Sequence, residues 1–282
     1  MTGFIHKSTI SNLLTIPVGV AYIKKLDTMK YTLKLLTLLL IILAGCTSAP
    51  ALPAPTATKQ NILFKNTVVS LTFDDGDADN YLVRSSLTEN NLRATFYIVS
   101  GFTNSNGYMS DEQLRDLYND GNEIGGHTLS HTKLLEVRGA ELKREICQDR
   151  SNLLAYGFEV NSFAYPFGYY DDEAKQAVVD CGYGNARAVS GGPETFQPAD
   201  AYGLRAMPYI VSDTRFPKMT RYVTEVENDG GGWVIFVFHH VCDGCDQYAI
   251  KPETFFKFAE WLGEQQSNGL VVKTVGQMMG GK

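Results

Sequence analysis

Two adjacent carboxylates, Asp74 and Asp75, follow a seven-residue run of mostly apolar and β-branched residues, Thr67 to Phe73 (TVVSLTF). Further along, His127 and His131 stand four apart behind Gly125-Gly126, and His239-His240 end a second apolar run, Trp233 to Phe238 (WVIFVF). The chain has five histidines, and four of them lie in these two segments. Asp75, His127 and His131 make a two-histidine, one-carboxylate ligand set. Three protein ligands leave one coordination position open, the mark of a catalytic rather than a structural zinc. A cation there lowers the pKa of a bound water and polarises a carbonyl oxygen. It also relieves the cost of placing two carboxylates side by side. Asp74 can then take a proton from that water, and His239 can give one to a leaving group. Each segment alone is unspecific, because Asp-Asp-Gly is a common turn and two histidines four apart occur on ordinary helix surfaces. Their joint placement carries the reading.

Placing these residues together is the task of a regular alternation of strands and helices. Strands are predicted over Thr67 to Phe73, Ala94 to Val99, Asn122 to Gly126, Ser162 to Tyr165, Gly184 to Val189, Leu204 to Ile210, Trp233 to Phe238 and Leu270 to Val275. Helices are predicted over Asn80 to Asn91, from the capping box Ser110-Asp111-Glu112-Gln113 to about Gly121, and over Ala140 to Leu154. Asp171 to Asp180, Phe216 to Glu227 and Pro252 to Gln266 complete the helices. Strands that alternate with helices pair in parallel, and this many units fit a single-domain α/β barrel. Asp74-Asp75, His127, Pro166-Phe167 and His239 each follow a strand directly. The C-terminal ends of barrel strands share one mouth, so the four segments meet on one rim.

The rest of the chain bounds compartment and partner. Net charge is −6, but the first 45 residues hold five lysines against Asp27, so the remainder carries −10. An acidic body argues against nucleic acid as a partner. Met29 to Lys34 is a short basic start, and Leu35 to Ala44 is an uncharged apolar stretch too short to span a bilayer as a helix. Leu43-Ala44-Gly45-Cys46 resembles the lipobox of bacterial lipoproteins, which implies cleavage before Cys46 and lipidation of it. The expected organisation is an upstream extension over 1–28, a lipoprotein signal over 29–45, Cys46 with an Ala/Pro/Thr-rich tether over 46–66, and a catalytic domain over 67–282. The location implied is extracytoplasmic, in the bacterial cell envelope with membrane contact only through the lipid, or secreted if the lipobox is not used. Cys147, Cys181, Cys242 and Cys245 are an even set, which favours disulfides outside the cytosol. Their order along the chain suggests Cys147–Cys181 and Cys242–Cys245, and other pairings stay open. His240 before Cys242-Asp-Gly-Cys245 can also be read as a structural zinc site.

At these residues the chain resembles the polysaccharide deacetylases, the NodB-homology metal-dependent carbohydrate esterases, from about Val68 to Val275. Thr72-Phe73-Asp74-Asp75 matches the first family motif, which implies Asp74 as base and Asp75 as metal ligand. His127-Thr128-Leu129-Ser130-His131 matches the second and implies two further ligands. Tyr165-Pro166-Phe167 stands at the third, where the Phe167 N–H is implied to hold an oxyanion. The strand ending at His239 matches the last and implies the catalytic acid. Two departures are visible. Ala164 stands where many members carry an arginine that orients the base, and the motif whose aspartate tunes the catalytic histidine is not evident. Arg187 or Arg205 is available as replacement cation, with Arg187 preferred. The resemblance implies a distorted (β/α) barrel of about seven parallel strands and one divalent metal, zinc being expected and cobalt an alternative. The implied activity is hydrolysis of linear amides, releasing acetate from an acetylated aminosugar polymer. O-acetyl esterase action on xylan-like glycans is a close variant. A glycan-binding protein without catalysis is a rival, as is a two-His, one-carboxylate iron oxygenase, although the α/β alternation speaks against the latter.

Overall fold

The computed structural model describes residues 63–281. The expected extension, signal segment, Cys46 and the tether before Leu63 lie outside the described residues.

Seven strands run β1 (Thr67–Phe73), β2 (Ala94–Ile98), β3 (Glu123–Gly126), β4 (Ser162–Ala164), β5 (Asn185–Gly191), β6 (Leu204–Ala206) and β7 (Gly232–Phe238), with a short β8 (Val271–Val272). All pairings between them are parallel, in the order β6-β5-β4-β3-β2-β1-β7, with β8 on β1. The two ends approach each other: beyond β6, Met207 N–H donates to Ile235 C=O at 2.9 Å and Ile210 N–H to Val237 C=O at 3.1 Å. The result is a nearly closed (β/α) barrel in one domain. β7 is buried along its whole length and β1 at six of seven positions, as expected of strands covered on both faces.

The helices are α1 (Arg84–Glu89), α2 (Asp111–Asn119), α3 (Gly139–Lys143), α4 (Asp149–Ala155), α5 (Asp172–Asp180), α6 (Phe216–Asn228), α7 (Pro252–Gln266) and α8 (Val275–Met278). Ser110 caps α2 in a full capping box with Gln113. The helix expected over Ala140 to Leu154 is present, as α3 and α4 continuous through a π turn, Arg144–Gln148. The wider turn leaves Glu145 C=O to accept from Leu129 N–H at 2.8 Å, while its carboxylate takes Ser130 N–H at 2.9 Å. Both donors lie in the segment between His127 and His131, so the irregularity braces the site. The strand expected over Leu270 to Val275 shrinks to β8, because a second capping box, Thr274 with Gln277, starts α8.

Side chains alternate across a strand, and this sorts the core. Val234, Phe236 and Phe238 join the layer between sheet and helices, while Trp233, Ile235 and Val237 form a separate inner cluster with Leu204, Ala206 and Val275. The inner side is unusually polar. Trp233 Nε1–H donates to Ser70 Oγ, and Glu123 accepts from Thr95 Oγ1 and Ser162 Oγ. Asp74 shares the parity of Ser70 and Thr72, His127 that of Glu123, and His239 that of Trp233. The same two-residue period therefore turns all three toward the mouth of the barrel.

Candidate active site

Register brings the strand ends level. Phe73 pairs with Phe238, and Asp74 N–H donates to Phe238 C=O at 2.9 Å, which sets Asp74 beside His239. Ile98 pairs with Gly126, and His127 N–H donates to Ile98 C=O at 3.0 Å. Gly126 leaves no room for a side chain, since a Cβ there would strike the Tyr183 hydroxyl and the Asp149 carboxylate. Four residues with left-handed backbone gather here: Asp75 (φ 70°), Thr128 (φ 70°), His131 (φ 56°) and Phe167 (φ 59°). Non-glycine residues hold such angles at a cost that surrounding structure must impose, a pattern common at functional sites.

Asp75, His127 and His131 converge. Asp75 Oδ1 lies 3.3 Å from His127 Nε2 and 3.1 Å from His131 Nε2, and the three ligand atoms lie within 4.8 Å of one another. His127 Nδ1 is 2.8 Å from Ala164 C=O, which can only accept. That bond assigns the Nδ1 proton and leaves the Nε2 lone pair facing Asp75. Two groups with lone pairs toward each other need a positive charge between them. Burial pushes Asp75 up, but the two imidazoles beside it outweigh that and hold the carboxyl well below its usual range. Burial would lower His127, and Asp75 reverses this, so its pKa is raised. The pocket thus selects a cation, and the nitrogen and oxygen donors fit a divalent ion such as zinc.

Asp74 and Arg187 are both fully buried and form an ion pair, Arg187 Nη2 to Asp74 Oδ1. The guanidinium also lies over the Tyr97 ring, 4.8 Å from its centre, and donates from Nη1 to Ala188 C=O at 2.8 Å. Desolvation opposes the charge on Arg187, and the Asp74 carboxylate more than restores it. Arg205 is elsewhere, bonded to Glu194 at 3.1 Å. Between the two candidate cations, the structure brings Arg187 to Asp74.

His239 lines the same cavity, with the rings of Tyr209 and Tyr248 centred 5.4 and 5.5 Å away. Burial lowers its pKa, against the pull of Asp74 and Asp75, and its buried Nδ1 has no hydrogen-bond partner among the described residues. His240 also lines the cavity, with its Nδ1 turned to Asp79, 2.9 Å away, and Asp77, 3.4 Å away. The cavity holds about 290 Å³ and is closed on one side by Phe167. The Phe167 ring lies 4.6 Å from that of His131.

Tyr165 and Pro166 do not belong to the substrate-facing set with Phe167. Both are buried, Tyr165 stacks on Tyr170 at 4.3 Å, and its hydroxyl donates to Tyr202 C=O at 2.9 Å. The left-handed turn at Phe167 directs that residue alone to the cavity. Residues that sequence reasoning missed, Val189, Tyr209, Asp246 and Tyr248, complete the lining. Val189 and Tyr209 follow β-strand positions and were open to a parity argument; Asp246 and Tyr248 lie in an irregular loop with no such signal. Cys147 is bonded to Cys181, and Cys242 to Cys245.

Residues 64–186 match the family model described as polysaccharide deacetylase. A peptidoglycan-N-acetylglucosamine deacetylase of Bacillus cereus is 26% identical over 118 residues, 41% of this chain and 54% of the relative. Chitin deacetylase 1 of Cryptococcus neoformans is 28% identical over 117 residues, 41% of this chain and 24% of the relative. The chain spans about half the length of the first curated relatives it matches. Among solved structures, a family 4 carbohydrate esterase from Streptomyces lividans superposes with a TM-score of 0.52 at 16% identity, covering 74% of this chain and 92% of that one. At that identity the likeness is one of fold.

Proposed function

Because this chain belongs to the polysaccharide deacetylase family, we propose that it is an extracytoplasmic, metal-dependent hydrolase that removes N-acetyl groups from an aminosugar polymer and releases acetate. One observation carries the reading: Asp75, His127 and His131 converge in a single cavity beside an Asp74 that is paired with a buried arginine.

Asp75, His127 and His131 would hold the divalent ion, which when bound supplies an acidified water and a polarised acetyl carbonyl. Asp74 takes the water's proton as general base. Arg187 fixes the orientation of that carboxylate through a buried ion pair. The role of the Phe167 N–H is to hold the oxygen on which negative charge develops. His239 protonates the departing sugar nitrogen. A cavity of about 290 Å³ suits one acetylated sugar unit, with Phe167, Tyr209 and Tyr248 available to flank a ring. The lipobox at Cys46 and the two disulfides support an envelope location with a lipid anchor.

The test is acetate release from chitin oligomers, peptidoglycan, poly-N-acetylglucosamine and acetyl-xylan, with and without chelator. Release from an aminosugar polymer that chelator abolishes is the expected result, and release from acetyl-xylan alone would move the assignment to esters. Asp74→Asn should end release while metal stays bound; Asp75→Ala and His127→Ala should lose the metal. Full activity in Asp74→Asn, or unchanged metal content in the ligand variants, would reject these roles.

A further inference from the structure

The cluster around His240 is not used by the proposed chemistry. Ligand atoms of Asp79, His240 and Cys245 lie within 4.8 Å of one another, the other such group among the described residues. Cys242 is covalently joined to Cys245, so its sulfur lies one bond away from this group. His240-Val241-Cys242-Asp243-Gly244-Cys245 therefore gathers two sulfurs and an imidazole from six consecutive residues, with a carboxylate from the turn before α1. We propose that this loop, between β7 and α7, is a second divalent-metal site that opens when its disulfide is reduced, with Cys242, Cys245, His240 and Asp79 as the four ligands.

Two thiolates, an imidazole and a carboxylate are a tetrahedral, zinc-type donor set. In the oxidised protein the sulfurs are spent on each other. A thiol or phosphine reductant supplies two electrons: the S–S bond breaks, each sulfur takes up one electron and one proton, and the reductant leaves oxidised. A zinc ion then displaces the two thiol protons and the proton His240 shares with Asp79. The metal undergoes no redox change. Cys245 is exposed, so reductant can reach the bond.

The ligands stay in place after the bond opens because the loop is closed by its backbone. Ile250 N–H donates to His240 C=O at 2.9 Å, and Cys242 N–H donates to Ile250 C=O at 3.0 Å. Asp79 is tied in turn, accepting Val241 N–H at 3.0 Å and facing His240 Nδ1 at 2.9 Å. Only the Cys245 limb has to shift. The same loop carries Asp246 and Tyr248 into the wall of the catalytic cavity, so the state of the four ligands is felt there.

The experiment titrates cobalt(II) and zinc into the metal-stripped full chain, oxidised and after reduction with a phosphine. The reduced protein should bind one more equivalent than the oxidised protein and show a thiolate-to-cobalt charge-transfer absorption that the oxidised protein lacks. Replacing Cys242 and Cys245 together by serine should remove both signals, and replacing Cys147 and Cys181 together by alanine should keep both. His240→Ala, with all cysteines intact, should weaken the cobalt signal about tenfold or more, and it carries the test if the serine variant fails to fold. Equal stoichiometry in both redox states, or an absorption that survives loss of Cys242 and Cys245, would overturn the proposal. The baseline equivalent, present in either state, reports the Asp75 site separately.

Discussion

Replacing Arg187 by methionine removes the charge opposite Asp74 while keeping most of the volume. Both partners are fully buried, so the lost interaction is not screened by solvent. With charge centres about 4 Å apart and an effective dielectric of about 20, the attraction is about 4 kcal/mol. That attraction holds the base carboxylate in place, and about 1.4 kcal/mol is a tenfold change in rate, so kcat/KM for acetate release should fall by about 10²–10³-fold in Arg187→Met, less what the surroundings recover by relaxing. Stability at neutral pH should fall by about 3–5 kcal/mol, the usual cost of removing one partner of a buried pair. Arg187→Lys keeps the charge without the planar fork, and its rate and stability should lie between the two. Urea unfolding and initial rates of acetate release measure both effects. A folded Arg187→Met protein whose kcat/KM matches that of the parent would refute the assignment of Arg187 to the base.

Two further outcomes follow from the ion pairs and the disulfides. Hydrogen bonding to Asp79 raises His240 to about 9, with burial opposing. A raised folded value stabilises fully below about 6.5 and is lost as pH rises through about 9, so unfolding free energy should decline across that window. His240→Gln should flatten the decline, and an identical slope in both proteins would contradict the pairing. The Cys147–Cys181 bond spans 34 residues, and closing a loop of that length is worth about 4 kcal/mol. Replacing both cysteines with alanine should lower urea stability by an amount of that order, whereas a change below about 1 kcal/mol would show that the bond constrains little.

The strands that hold the chemistry were legible because they are buried on both faces and read as continuous apolar runs, as in TVVSLTF and WVIFVF. Their polar ends then marked the rim without help from the loops. Arg187 was harder to place. In Asn185-Ala-Arg-Ala-Val189 the larger residues alternate with alanines, and that period puts Arg187 inside the barrel with Asn185 and Val189. Arg205 sits on an equally plausible strand, and only the register of β4 against β5, Ala164 opposite Arg187, separates them. The cation beside Asp74 thus comes from the strand next to Ala164.

Other features depend on tertiary contacts that no local pattern announces. The π turn at Arg144–Gln148 exists to present Glu145 to Leu129 and Ser130, and the helical pattern of Ala140 to Leu154 reads the same with or without it. Tyr165 and Phe167 are both aromatic and two apart, and only the left-handed turn at Phe167 decides which of them meets the cavity. Asp246 and Tyr248 reach the cavity through a loop whose path is set by the Cys242–Cys245 bond and the hydrogen bonds at its base.

The proposed chemistry requires one divalent ion shared by Asp75, His127 and His131 in the protein that releases acetate. Anomalous diffraction at the zinc edge, on crystals of active protein loaded with zinc, is the deciding measurement. A peak is expected within about 2.0–2.2 Å of one oxygen of Asp75 and of the Nε2 atoms of His127 and His131, with Asp74 alongside and not bound. An active, zinc-dependent protein with no peak between these three residues would contradict it.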